Sequence, residues 1–216
     1  MSRISAALRR HLAAIRAMVV FTVILGIAYP LLITGIAQLA FKDKANGSLI
    51  KDASGKIVAS SLLCQQYVDK SGDALPQYFQ TRPSDATNSA NSSDPGCDYS
   101  YSAGSNLGTS SATLKDTIEG RIASYAKAYN IDPAKVPEDA VTASASGMDP
   151  GISVENADDQ AASVAKARGV DLATVTKLVK DNTTGRSLGF LGEQYVNVVT
   201  LNLALDKEHP VAAATS

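Results

Sequence analysis

The longest break in the polar texture of this chain runs from Ala17 to Phe41, AMVVFTVILGIAYPLLITGIAQLAF, and contains no charged side chain. A helix over it would reach roughly 37 Å, enough to cross a hydrocarbon core of about 30 Å with some tilt. Helical backbone also satisfies its own polar groups in lipid. The run predicts one transmembrane helix at 17–41. A cleaved secretory signal, with Gly35-Ile36-Ala37 as its small-residue site, is the competing reading, but its apolar core would be only about 7–15 residues. Within the span, Gly26 and Pro30 lie four apart on one face, with Gly35 further along. Such a stripe suits either close approach of a partner helix or a lone anchor that tolerates Gly and Pro.

Past the span the pattern shortens. Ser48–Lys51 and Lys56–Leu63 read as two strands around the turn residues Asp52-Ala53-Ser54-Gly55. Ser84–Gly108 is rich in Ser, Asn, Asp and Gly and predicts a long loop that is functional or poorly ordered. Leu114, Ile118, Ile122, Tyr125 and Tyr129 repeat with helical period after a cap at Ser111 or Thr113, and Asn130 and Pro133 stop them. A second small-residue segment covers 142–151. Ser153 then caps a helix ending at Gly169, and Asp171 caps another ending near Asn182. In Tyr195–Leu205, Val199, Leu201, Leu203 and Leu205 alternate with Val198, Thr200, Asn202 and Ala204, which predicts a strand. The fold class is therefore α+β: an N-terminal segment 1–16, the transmembrane helix 17–41, a single mixed α/β domain 42–206 and a tail 207–216.

Charge adds direction. Arg3, Arg9, Arg10 and Arg16 precede the span with no acid, whereas Lys42, Asp43 and Lys44 nearly cancel after it. The positive-inside rule places the N-terminus in the cytoplasm and the domain outside, in the inner (plasma) membrane. All 21 acids lie beyond the span with 16 of the 20 bases, so the outer part carries a formal charge of −5. That argues against a nucleic-acid surface and gives no reason to expect a second membrane contact through basic residues; membrane lipid is the expected contact of the span.

Little in the chain suggests catalysis. The pattern S-x-x-K occurs at Ser124–Lys127 and Ser163–Lys166, both inside predicted amphipathic helices and without the companion motifs of serine–lysine enzymes. His209 sits in the tail and His11 lies before the span, so they share neither a triad nor a metal. No G-x-S-x-G elbow or Walker A loop is present, and no zinc or calcium set. The competing readings are a membrane-anchored extracytoplasmic serine hydrolase and a free-standing binding module. Asn46, Asn91 and Asn182 open Asn-x-Ser/Thr sequons, meaningful only in a glycosylating host. Cys64 and Cys97 are either a disulfide or two free thiols.

Several blocks resemble one family. They are Tyr29-Pro30-Leu31-Leu32, Asn46-Gly47-Ser48-Leu49-Ile50, Ser60–Gln65, Tyr78-Phe79 with Arg82-Pro83-Ser84, Gly104–Gly108, Val141–Asp149, Gln160 with Val164–Arg168, and Val196–Val198 into Leu201–Asp206. In this order, behind one span, they resemble the KdpC family of the Kdp-type potassium-transporting P-type ATPase. The chain departs from that pattern at Cys64 and Ala103, where glycine is usual, and in a longer Ser89–Tyr99 region carrying Cys97. Two unusual cysteines arriving together favour their pairing.

The resemblance implies a non-catalytic accessory subunit of an ATP-driven potassium uptake complex. Its partners would be a potassium-conducting, channel-like subunit and a P-type subunit that hydrolyses ATP. It also implies a catalytic-chaperone role that raises the pump subunit's affinity for ATP, with Gln65 and Gln160 as candidate nucleotide contacts. The topology argument puts both glutamines outside, away from ATP, so no cofactor is bound stably and any ATP effect is indirect. The two small-residue loops are the expected partner-facing surface: Gly104, Ser105, Asn106, Ser144, Ser146, Gly147 and Asp149.

Overall fold

The computed structural model describes residues 5–87 and 96–211. Arg3, Asn91 and the end of the tail lie outside these residues. The chain divides into two units, Met1–Leu49 and Ile50–Ser216.

The first unit is a helix that starts earlier than the apolar run. Ser5 caps α1 (Ala6–Phe21) by accepting a hydrogen bond from the Leu8 N–H. A π-helical stretch (Thr22–Ala28) follows, then α2 (Tyr29–Ala40) and a short α3 (Lys42–Ala45). The residues at 6–16, expected to precede the span, are therefore part of its helix. Together Ala6–Ala40 form one helix long and apolar enough to cross a membrane. The widened turns have a local cause. Pro30 has no N–H to give the carbonyl four residues back and its ring crowds that carbonyl, so the helix unwinds just ahead of it. The Tyr29 N–H accordingly reaches the Ile24 carbonyl, five residues back.

The second unit begins with the hairpin of β1 (Leu49–Lys51) and β2 (Ile57–Ser60), which turns on Asp52 as its carboxylate accepts from the Ser54 and Lys56 N–H groups. Between Ser61 and Ser111 the described residues form no long element. α4 (Ala112–Tyr129) is capped by Ser111, not Thr113, and ends on Asn130 in the left-handed region. A 3-10 turn (Pro133–Lys135) and the short α5 (Glu138–Val141) lead to β3 (Gly151–Ile152). α6 (Val154–Arg168) starts at the Ser153 cap and ends on left-handed Gly169, and α7 (Leu172–Asp181) packs back on it. β4 (Thr183–Thr184) and β5 (Tyr195–Asn197) complete a three-stranded antiparallel sheet in the order β3-β5-β4, with Ile152 and Thr183 both opposite Val196.

The chain after β5 is not strand. α8 runs Val198–Glu208, and only Tyr195–Asn197 of the predicted strand is extended. Asn197 turns the chain into helix by accepting from the Thr200 N–H at 3.1 Å. The buried positions Val198, Leu201, Asn202 and Leu205 then follow i, i+3, i+4, i+7. A polar residue occupies one slot of that stripe, which left apolar alternation as the visible pattern. The expected tail is shortened too, because Lys207 and Glu208 finish α8. One core joins α6, α7, α8 and β5 around Phe79, Ile152, Val164, Val175, Leu201 and Leu205. The domain is α+β, with helices on a small antiparallel sheet.

Candidate partner-facing loops and the amide clamps beneath them

The two small-residue loops meet. The Ser144 N–H donates to the Pro83 carbonyl at 3.0 Å, the Ala103 N–H to Ser146 O at 3.1 Å, and the Ser84 hydroxyl to Gly147 O at 2.6 Å. The Cys64 N–H donates to Met148 O at 2.9 Å, and a disulfide joins Cys64 to Cys97, whose own N–H donates to Ser84 Oγ at 2.9 Å. Segments around residues 64, 84–86, 97–103 and 144–149 thus form a layer held by backbone pairing in place of a sheet. Glycine is required where they touch. A Cβ on Gly147, which is left-handed at φ +71°, would lie 2.5 Å from both Ala103 O and Ala86 Cβ. A Cβ on Gly104 would lie 2.8 Å from Ala145 O.

The loop residues divide by exposure. Ser105, Asn106 and Ser146 are exposed, whereas Ser144 and Gly147 are buried. Asn106 stands left-handed and folds its amide onto Gly104 O at 3.0 Å. Asp149 accepts from the Gly151 N–H at 2.8 Å and pairs with Arg82 at 3.4 Å. The long Arg82 contacts, including 3.3 Å to Thr142 Oγ1, leave its buried Nε without a partner. Gly26, Pro30 and Gly35 belong to the first unit; a Cβ on Gly35 would meet nothing within 4 Å.

The two candidate glutamines differ. Gln65 is half-buried, with its Oε1 3.5 Å from the Tyr67 hydroxyl. Gln160 is buried on α6, and its amide is fully engaged. Its Oε1 accepts from the Gln80 N–H at 2.7 Å, and its Nε2 donates to Gln80 O at 3.2 Å and to Asn156 Oδ1 at 2.8 Å. Asn202 on α8 treats the neighbouring residue in the same way, accepting from the Phe79 N–H and donating to Phe79 O, both at 2.9 Å. Two buried amides from two helices therefore grip consecutive peptide groups of one irregular segment, which would otherwise bury unpaired backbone.

Arg168 at the end of α6 extends the joint. Its side chain is wholly buried and donates to Gln77 O at 2.6 Å, His209 O at 2.9 Å and Asp206 Oδ1 at 2.8 Å. It also lies 4.8 Å over the Tyr78 ring, which stacks on Tyr67. On the other side of Gln160, Asn156 donates to Asp139 at 3.0 Å and accepts from the Tyr125 hydroxyl at 2.8 Å. Burial, then the nearby Asp159 carboxylate, pushes the Tyr125 phenol up, and burial does the same to Tyr67. Burial raises Asp159 as well; the Tyr125 hydroxyl partly offsets this, and Asp158 and Glu155 add to it.

Sequence reasoning missed Asn202, Arg168 and the Tyr125–Asn156–Asp139 chain. The available signals were an Asn inside an apolar stripe and an Arg beside a helix-ending glycine. Ser124 is exposed on α4 and Ser163 half-buried on α6, each on regular helix. Among the described residues no group of three or more His, Cys, Asp or Glu is placed to hold a metal ion.

The model of the family described as K+-transporting ATPase, c chain, matches residues 11–207. A protein from Mycobacterium tuberculosis named potassium-transporting ATPase KdpC subunit is 45% identical over 201 residues, covering 92% of this chain and 98% of its own. One of the same name from Caulobacter vibrioides is 45% identical over 203 residues, covering 93% and 94%. Another from Caulobacter sp. (strain K31) is 46% identical over 192 residues, covering 88% and 89%. Matched from within α1 to Lys207 in the last turn of α8, this chain belongs to the family of K+-transporting ATPase c chains.

Proposed function

We propose that this chain is a single-span, non-catalytic accessory subunit of an ATP-driven potassium uptake complex. The observation that carries this reading is a family match running through both the apolar helix and the folded domain. The arginines ahead of the apolar run, three of them on the first turns of α1, put the N-terminus in the cytoplasm and the domain outside. The exposed Ser105, Asn106 and Ser146 then present the knitted loop layer to a channel-like, potassium-conducting subunit over its extracellular mouth. A P-type subunit of the same complex hydrolyses the ATP.

An outer domain meets no ATP. Any effect on nucleotide affinity is therefore a coupling free energy transmitted through the complex, and it is reciprocal: ATP bound on the pump subunit alters the grip on this chain by the same factor. The engaged amide of Gln160 supports a structural over a ligand-binding use of that residue.

The test is side-specific labelling. Neither native cysteine is free, so a cysteine introduced at exposed Lys180 is the single reactive thiol. A membrane-impermeant maleimide should label it in intact spheroplasts, and the labelled chain should leave detergent together with large membrane proteins. Labelling from the cytoplasmic face alone rejects the topology. Purification without partners favours a free-standing module.

A further inference from the structure

Between β4 and β5 the chain projects an apolar knuckle. Leu188 is 83% exposed, Phe190 69% and Leu191 52%. The knuckle has a defined shape. Ser187 and Leu191 exchange backbone hydrogen bonds of 2.8 and 2.9 Å, and the Phe190 N–H donates to Ser187 O at 3.3 Å. Leu188 and Gly189 at the turn are both left-handed, at φ +55° and +82°. Asn-Gly is the residue pair such a turn favours, and a leucine there is conformationally costly. The turn itself does not explain that leucine.

The knuckle is also graded along its height. Residues 187–192 carry no charge. Below them Arg186 and Glu193 neutralise each other across the base at 2.6 Å, and Tyr195 follows at 40% exposure. An apolar tip above a neutral ion pair and a tyrosine matches the layering of a bilayer, where aromatic and charged groups sit at the headgroups and aliphatic ones below. The tip protrudes, so a fluid medium receives it without a matching pocket. Eight residues, 42–49, separate the apolar span from Ile50, and an anchored domain meets the bilayer at high effective concentration.

We infer that Leu188, Phe190 and Leu191 insert into the acyl region of the bilayer as a second, shallow membrane contact of the domain. Such a contact uses hydrophobic burial and needs no basic patch, so it suits an acidic domain. It rests on the anchored part of the proposed function and not on the identity of the complex.

The chain has no tryptophan, so Phe190→Trp supplies a single reporter, and Leu191→Trp an independent one. The full-length variants are reconstituted in phosphatidylcholine vesicles with and without bromines on the acyl chains. The expected result is blue-shifted emission and about twofold quenching by the bromines, both lost when Leu188→Asp is added. Three results overturn the inference: no quenching of either reporter, quenching that survives Leu188→Asp, or a tip shielded only when detergent-extracted partner subunits are added. The last would assign the knuckle to a protein surface. Labelling of Lys180→Cys reads topology separately, so failure of the anchored reading and failure of the insertion are distinguishable.

Discussion

At the scale of the residue, the domain depends on buried amides that replace missing secondary structure. Asn202→Ala leaves the Phe79 N–H and C=O buried and unpaired, and the expected cost is about 2–4 kcal/mol, read from urea denaturation of the full chain in detergent. Asn202→Leu refills the volume without the bonds and should remain destabilised, which separates hydrogen bonding from packing. Asp159 gives a dependence on pH. Its folded carboxyl lies above the ordinary value of 3.8, so at neutral pH the folded state holds a charge that the unfolded state carries more cheaply. Asp159→Asn should therefore be more stable than the wild type at pH 7. The advantage should fade as pH falls through the raised pKa and vanish below about 3.8, where both states are protonated. Melting curves of both proteins from pH 3 to pH 8 test the sign.

At the scale of the element, the instructive segment is 195–208. Alternating Val and Leu residues read as strand because strand and helix templates compete over short apolar runs. The structure resolves the competition with two asparagines. Asn197 caps α8 and donates to Ser61 O at 2.8 Å, and Asn202 fills an inward slot of the helix. Asn197→Ala should cost about 1–2 kcal/mol through the lost cap, and Asn197→Asp, which keeps the acceptor, should recover part of it. A residue ending a strand would show neither effect. α4, α6 and α7 were legible because start signals and apolar faces agree, although only Ser111 and Ser153 cap by a side-chain hydrogen bond and Asp171 stands at the start of α7 without one. Their ends at Asn130, Gly169 and Asn182 were readable from the residue types that tolerate left-handed or helix-ending backbone.

At the scale of the whole molecule, the domain balances a modest core with cross-links over its irregular segments. The Cys64–Cys97 bridge closes a separation of 33 residues, and loop-closure entropy assigns such a bridge roughly 3–4 kcal/mol. Cys64→Ala with Cys97→Ala should lower the urea midpoint accordingly. Reductant should lower the wild type to the same level and leave the double variant unmoved. The bridge lies in the same layer as the Gly104 and Gly147 contacts, so loosening it should weaken association with partner subunits as well as stability, measurable as recovery of the complex after detergent extraction.

Local pattern along the chain was enough for the apolar span, its charge asymmetry, the α+β class, three domain helices and the family. Each of these is written in periodicity, caps or colinear blocks, which need no knowledge of distant residues. Folding in three dimensions settled the rest: residues 198–208 are helix, the two small-residue loops pair with each other, and Gln160, Asn202 and Arg168 grip the backbone of 77–80. Those choices depend on which buried peptide groups lack partners, a condition that exists only after distant segments have been brought together.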